Sequence, residues 1–477
     1  MIKKLYSILA VVLISAFVLA ACGAPATPET VTVIQTQVVE KVVEKVVEVT
    51  PTPAPKAEGG KELIVWWSHW ANEPAKKVVI EQIVKDYEAE HPNVDIVLTW
   101  WDKDPLRNAV RSTMTAGGEG APDITTFDSE VVEWVEAGWM TDLADTIPWE
   151  NLDPMAKQDA TYPDQGYAGN YKLNLSKVTN MLFYNKEIFA ELGVTVPENY
   201  QFSQTEFLDV VKKCSAAGYS GVADAVGNRK YAGLWPVQYG LFSLVGPQEF
   251  DVYNSGKKAW DSPEAKSVLE YTTALRDAGL WPASYSTMTI DEFHVYFHTQ
   301  RKACMFYIPT WYTGRAFKAV KDGGQDPAWQ FGMLRYPAMD GGKANDLVWG
   351  GIESGYGVLS TTKHPETSKN IIAFIAQPKY GALWTAVTNS PSMIKYDAAK
   401  DAPSADLLKA AGVTSGQWDW YWAEYSKVYG SLEMGLAPTA RCGDFNAAIE
   451  AALADGLPQS LVTVDEAIAS IDAALCK

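Results

Sequence analysis

From Lys61 to Ala137 the chain alternates three times between a compact apolar run and a longer segment with helical spacing. Leu63-Ile64-Val65-Trp66-Trp67 reads as a strand, and Ala75 to Glu90 then places Val79, Ile83, Val84 and Tyr87 at helical spacing until His91-Pro92 stops it. Val94 to Leu98 is the next strand, Leu106 to Ala116 a helix ended by Gly117-Gly118, and Pro122 to Phe127 a third strand before helical Ser129 to Ala137. Strand–helix units in succession predict an α/β fold with a parallel sheet. In such sheets the carboxyl ends of the strands face the ligand crevice. The residues just past those ends are Ser68, His69 and Trp70, then Trp100, Trp101 and Asp102, then Asp128 and Glu130.

A chain of 477 residues is long enough for two packed domains. Its formal net charge of −18 repels phosphates over most of the surface, so no nucleic-acid partner is expected. The 18 Trp outnumber the 15 Phe, an excess that asks for a role beyond core packing.

The first residues answer the compartment question. Lys3 and Lys4 precede an apolar run from Ile8 to Ala21, too short for a membrane span and suited to a secretory signal peptide at 1–21. Leu19-Ala20-Ala21-Cys22 resembles the lipobox of bacterial lipoproteins, which implies a lipid on Cys22 and an extracytoplasmic chain anchored to the cell membrane. Residues 22–60 form a zone of their own, where Val-Val-Glu-Lys repeats with period four from Val38 and Pro51, Pro53 and Pro55 follow. Such composition cannot bury a core, so this zone is expected to be a tether.

Further on, Ala121-Pro122-Asp123-Ile124, then Ala137-Gly138-Trp139-Met140-Thr141-Asp142-Leu143, then Leu182-Phe183-Tyr184-Asn185-Lys186-Glu187-Ile188-Phe189 come in order. Later blocks are Arg301 to Phe306 with Trp311, Phe331-Gly332-Met333-Leu334, Gly350-Gly351-Ile352-Glu353 and Lys363 to Ser368. Taken together, these segments resemble the family 1 extracellular solute-binding proteins, in their sugar-binding branch. The resemblance implies a periplasmic-binding-protein-like fold: two α/β lobes joined by a multi-segment hinge. On that reading residues 61–170 plus 338–376 form the first lobe and 171–337 plus 377–477 the second. Crossovers are expected near Gly169–Leu175, Gln330–Pro337 and Ala376–Gly381. The resemblance further implies a monomeric, non-enzymatic receptor with a sugar ligand, working with ABC permease subunits and their ATPase, and needing no cofactor.

A sugar presents hydroxyls at its rim and C–H faces above and below, so its receptor needs aromatic platforms and charged or amide groups. Carried over by matching motif, the candidate ligand-binding residues are Ser68, His69, Trp70, Trp101, Asp128, Glu130, Tyr231, Trp235, Trp311, Trp349, Gly351, Glu353 and Trp420. Any one of these tryptophans could instead be core, as Trp66, Trp134, Trp139 and Trp384 are expected to be, and Asp128 and Glu130 could simply cap a helix. No G-x-S-x-G, G-x-x-x-x-G-K or C-x-x-C motif occurs. His294 and His298 sit four apart but not in an H-E-x-x-H order, and no metal site is expected. A secreted glycoside hydrolase or a carbohydrate-binding adhesin would share the acidic, Trp-rich composition. The lipobox, the tether and the order of the blocks favour a receptor.

Apart from Cys22, four cysteines remain in an oxidising compartment, allowing two disulfides in three pairings. A Cys442–Cys476 bridge would fasten a terminal helix from Val464 to Leu475, leaving Cys214 to face Cys304. Four free buried thiols are the alternative.

Overall fold

The computed structural model describes residues 60–128, 132–413, 415–430, 432, 434–436 and 441–476. Strands β1 (Glu62–Ser68), β2 (Val94–Trp100) and β3 (Ile124–Phe127) are joined by α1 (Pro74–Glu90) and α2 (Lys103–Thr115), and β1 pairs in parallel with both other strands. Pro74 suits the first turn of α1, where its missing N–H costs nothing, and the apolar stripe Val79, Ile80, Ile83, Tyr87 turns inward. Two short pieces from distant sequence complete the sheet. β10 (Gly355–Val358) runs antiparallel to β3, and β4 (Leu173–Asn174) pairs with β10, giving the order β2-β1-β3-β10-β4. Gly355 permits this contact, because a Cβ there would lie 2.2 Å from the Leu173 carbonyl oxygen.

A second sheet is built around β5 (Lys177–Tyr184), flanked by β7 (Ala303–Pro309) and β9 (Val348–Ile352), with β6 (Ser220–Val222) parallel to β7 and β11 (Met434–Leu436) parallel to β9. β8 (Gly332–Leu334) also pairs with β5. Helices α3 (Gln204–Ala216), α4 (Tyr231–Val245) and α5 (Ile290–His298) pack on it. α3 and α5 each open on a capping box, Ser203 with Glu206 and Thr289 with Glu292. Each sheet has a core of its own: Ile64, Trp66 and Ile83 with Trp384 in one, Phe183, Phe207, Phe306 and Phe331 in the other.

The chain changes sheets at different places from those the sequence suggested. β4 leads into β5 through Leu175-Ser176, and β9 leads back into β10 through Glu353-Ser354, so residues 338–352 belong with the second sheet. These two through-running strands are antiparallel neighbours, tied at the break by the Glu353 N–H donating to the Ser176 oxygen at 3.0 Å. The stretch Gln330–Pro337, expected to cross, contains β8 and stays in the second sheet, because its apolar Met333 and Leu334 are fully buried against β5. After α6 (Pro365–Ile375), α7 (Pro378–Thr388) does not leave: Tyr380, Leu383, Trp384 and Val387 are buried in the first core, where α7 packs on α1. Helix α8 (Ala405–Ala410) still lies on that core. The last passage comes only before α9 (Ser415–Tyr429), whose Tyr421, Val428 and Tyr429 are buried in the second core.

Disulfides join Cys214 on α3 to Cys304 on β7, and Cys442 to Cys476 just beyond α10 (Val464–Ala473). Loops of 90 and 34 residues correspond in the chain-entropy account to about 4–5 and about 4 kcal/mol of unfolded-state restriction. Among the described residues, no helix is long and apolar enough to cross a membrane.

Candidate functional site

The segments after β1 and β2 approach the second lobe, where Glu73 comes near Gly314 and Asp104 meets Arg229, and the carboxyl ends of parallel strands are where such folds place a ligand. His69 follows β1. Its backbone N–H donates to Thr126 Oγ1 at 3.1 Å, and its half-buried ring lies near Asp128 and Lys103. Burial pushes the imidazole down to about 4, so at neutral pH it is uncharged and offers one donor and one acceptor. Asp128, just past β3, is buried, meets Arg107 Nη2 at 2.5 Å and Lys103 Nζ at 3.3 Å, and accepts from Ser354 Oγ. Burial alone would raise its pKa, but Lys103 and Arg107 outweigh that and hold it well below the usual carboxylate range. A carboxyl so held cannot serve as the protonated acid that glycoside hydrolysis requires.

The remaining sequence-predicted residues fall into separate groups. Tyr231 and Trp235 open α4 with rings 5.5 Å apart, Tyr231 exposed and Trp235 buried. Trp311, half-buried after β7, carries the Arg315 guanidinium 5.6 Å from its ring centre. Trp101 is half-buried, 4.9 Å from Trp67, and its indole N–H has no hydrogen-bond partner. Trp420 is half-buried against Phe331, with Lys186 Nζ 5.8 Å from its ring. Glu130 lies outside the described residues, as does Cys22.

Five expectations meet packing or pairing instead. Trp70 is 1% exposed, wedged between Tyr356 and Trp384, and Ser68 beside it is sealed with its hydroxyl 2.7 Å from Tyr356 Oη. Trp349 points into the second core between Tyr239 and Phe250. Period-two alternation explains Trp70, which continues the inward series Ile64, Trp66 and Ser68 of β1, whereas Trp349 lies in a stretch of β9 whose neighbours Val348 and Gly350 are buried as well. Gly351 is paired with Val178 inside the sheet rather than bared to a ligand. Glu353 sits at the break between β9 and β10, where it pairs with Lys76 and accepts from Ser176 Oγ at 2.5 Å.

Between the lobes opens a cleft of about 740 Å³. The first lobe contributes Asn72 and Ala75 from the start of α1, the second Thr313, Gly314, Arg315 and Phe317, and Ala410 to Gly412 close one side. None of the sequence-predicted residues lines this space directly; Trp311 borders it through Arg315. Sequence reasoning also missed Glu73, Lys76, Lys103 and Arg107. Glu73 is the N-cap of α1 and Lys76 stands in its first turn, Lys103 opens α2 and Arg107 lies one turn on, so the rule that located His69 would have reached them had it been extended past the loops.

Residues 70–382 match the model of the bacterial extracellular solute-binding proteins. The chain belongs to that family. Its members are binding proteins rather than enzymes. Among relatives, the multiple sugar-binding protein of Streptococcus mutans is 23% identical over 374 residues, covering 75% of this chain and 82% of that one. A protein from work on xylan utilization by Caldanaerobius polysaccharolyticus superposes with a TM-score of 0.69 at 20% identity, covering 86% of this chain and 99% of the other. RafE of Streptococcus pneumoniae, solved with raffinose, gives 0.60 at 17% identity, covering 87% and 100%. These likenesses establish a periplasmic-binding-protein-like fold of two α/β lobes for this solute-binding protein.

The histidines give the protein a pH signature. His298 is bonded to Tyr312 Oη at 2.8 Å and to the Gly323 oxygen at 3.0 Å, and burial pushes it down to about 4. Burial also holds the enclosed His294 well below its ordinary value. Below the unfolded value of 6.5 the unfolded chain takes up protons that the fold refuses, so stability is present above 6.5 and is lost as pH falls toward 4. Each fully buried imidazole is expected to cost about 2 kcal/mol by pH 5, and half-buried His69 less. Melting temperature followed from pH 7 to 5 checks this; a flat profile contradicts it.

Proposed function

We propose that this solute-binding protein is the extracytoplasmic receptor of an ABC importer, held to the membrane by a lipid on Cys22, and that it captures an oligosaccharide by closing two lobes around it. The observation that carries the reading is the pair of antiparallel strands that each run from one sheet into the other, together with a cleft walled by residues of both lobes. Two adjacent strands with short breaks concentrate bending in a few residues, which is how a hinge closes without repacking either core. The relatives' names point to sugars, and the chemistry agrees. Outside the lining of that cleft, neutral His69, ionised Asp128, Tyr231, Trp101 and Trp311 supply hydrogen bonding and flat apolar faces, and they are our candidates for ligand contact.

A panel of raffinose, stachyose, xylo-oligosaccharides and chito-oligosaccharides, screened by thermal shift, tests the reading. A sugar bound only by the fold at 100 times its Kd adds about 2.7 kcal/mol, a rise of several degrees. The same sugar should leave the protein chemically unchanged. Release of reducing ends returns the hydrolase alternative; a panel without any shift, or a membrane-extracted protein whose Cys22 carries no lipid, removes the corresponding part of the proposal.

A further inference from the structure

Arg229 and Asp104 meet across the gap with Nη1 and Oδ2 2.8 Å apart. Arg229 stands between β6 and α4 on the second lobe, and Asp104 stands in the first turn of α2 on the first. The arginine is aimed before the contact forms: the same nitrogen donates to the Asn228 carbonyl oxygen at 2.9 Å, and Asn228 Oδ1 is fixed by the Ile290 N–H at 2.8 Å. A second approach repeats the pattern at the end of β1. There Glu73 on the first lobe reaches toward Gly314 on the second, close enough that a Cβ on Gly314 would stand 3.9 Å from Glu73 Oε2, with Arg315 next in sequence. At both places an acid that follows a first-lobe strand stands close to a second-lobe segment that carries an arginine, but only Arg229 pairs across, since Arg315 pairs with Asp291 on its own lobe.

We propose that the Arg229–Asp104 pair is a cross-lobe latch that holds part of the population closed without sugar and thereby sets how tightly sugar is bound. This rests on the hinge-closure reading above. Among the described residues neither side chain has another cross-lobe hydrogen bond or ion pair, so the attraction of the pair exists only in the closed form. Separation by more than a Debye length, about 8 Å at physiological salt, abolishes it. Its side chains are 27% and 51% exposed, which places it in the class of weak, salt-sensitive pairs. A weak bias on a two-state equilibrium changes the closed fraction, and apparent affinity follows that fraction. The expected size is about a two- to five-fold change.

Hydrogen exchange of the full lipidated chain, without sugar, reads the latch at 69–75 and 310–316, which face each other across the gap. Relative to wild type at 20 mM salt, Arg229→Ala should speed exchange there about two- to five-fold, Arg229→Glu more because it repels Asp104, and Arg229→Lys little. At 500 mM salt the differences should vanish. A series that is flat at both salts overturns the latch, as does acceleration that salt leaves untouched, which marks a merely structural arginine. Failure of the hinge reading shows elsewhere: wild-type exchange at the same segments would then ignore every sugar of the panel that shifts the melting temperature.

Discussion

Lys76→Met is expected to lower the unfolding free energy by about 3–5 kcal/mol, measured by urea titration at pH 7. Lys76 lies on α1 with its side chain 4% exposed, pairs with Glu353, and holds Glu73 Oε2 at 2.7 Å. Burial opposes its charge, yet Glu353 and Glu73 outweigh burial and raise its pKa, so it enters the fold as a cation. Removing it leaves two carboxylates that are 10% and 16% exposed in each other's field without their paired ammonium, and only Glu73 keeps a nearby positive charge, that of Arg315. The loss is therefore the desolvation of orphaned charge rather than the modest net worth of the pairs. The same ammonium lies 5.1 Å from the Trp70 ring and 5.7 Å from the Trp384 ring, contacts that methionine keeps only in part. Because Glu353 occupies the strand break and also accepts from Ser176, the cluster fastens the crossing to the first lobe. Adding Glu353→Gln to Lys76→Met should recover part of the stability. Loss below about 1 kcal/mol in the single variant would falsify a buried, obligatory ion cluster here.

Trp70→Ala should cost about 3–5 kcal/mol, while Trp70→Phe should cost less than half of that and bind sugar within two-fold of wild type. Sequence logic placed this residue beside the ligand because it follows β1. The fold seals it, its ring 5.3 Å from Tyr356 and 5.2 Å from Trp384 in a tilted aromatic cluster under α7. A buried ring contributes through area and interdigitation, which phenylalanine mostly preserves; a stacking platform contributes through its exposed indole face, which phenylalanine shrinks. Denaturant midpoints and sugar affinities of the two variants separate these roles. Unchanged stability with affinity lost would return Trp70 to the ligand.

The alternation of apolar strands with helices between Lys61 and Ala137 was legible because period and punctuation are local: Pro74, His91-Pro92 and Gly117-Gly118 stand within a residue or two of the observed helix ends. Trp66, Trp134 and Trp384 read as core and are buried, whereas Trp139 is only half-buried. β10 was not legible. Four residues, Gly-Tyr-Gly-Val, carry no period of their own, and what makes them a strand is antiparallel pairing with β3 more than 200 residues earlier. The assignment of α7 failed for a related reason, since an apolar helix fits either core until the surface it meets is known.

The sequence by itself determined the α/β character of the chain, its family, and the loops that could carry a site, because these depend on composition, local periodicity and ordered short motifs. Tertiary structure alone decided where the chain passes between the sheets, which tryptophans face a neighbour, and that Glu353 pairs with Lys76 at the break between β9 and β10. Those outcomes depend on which distant surfaces come together. A side chain's role is then set by what lies within a few ångströms of it in space, and neighbours along the chain do not report that.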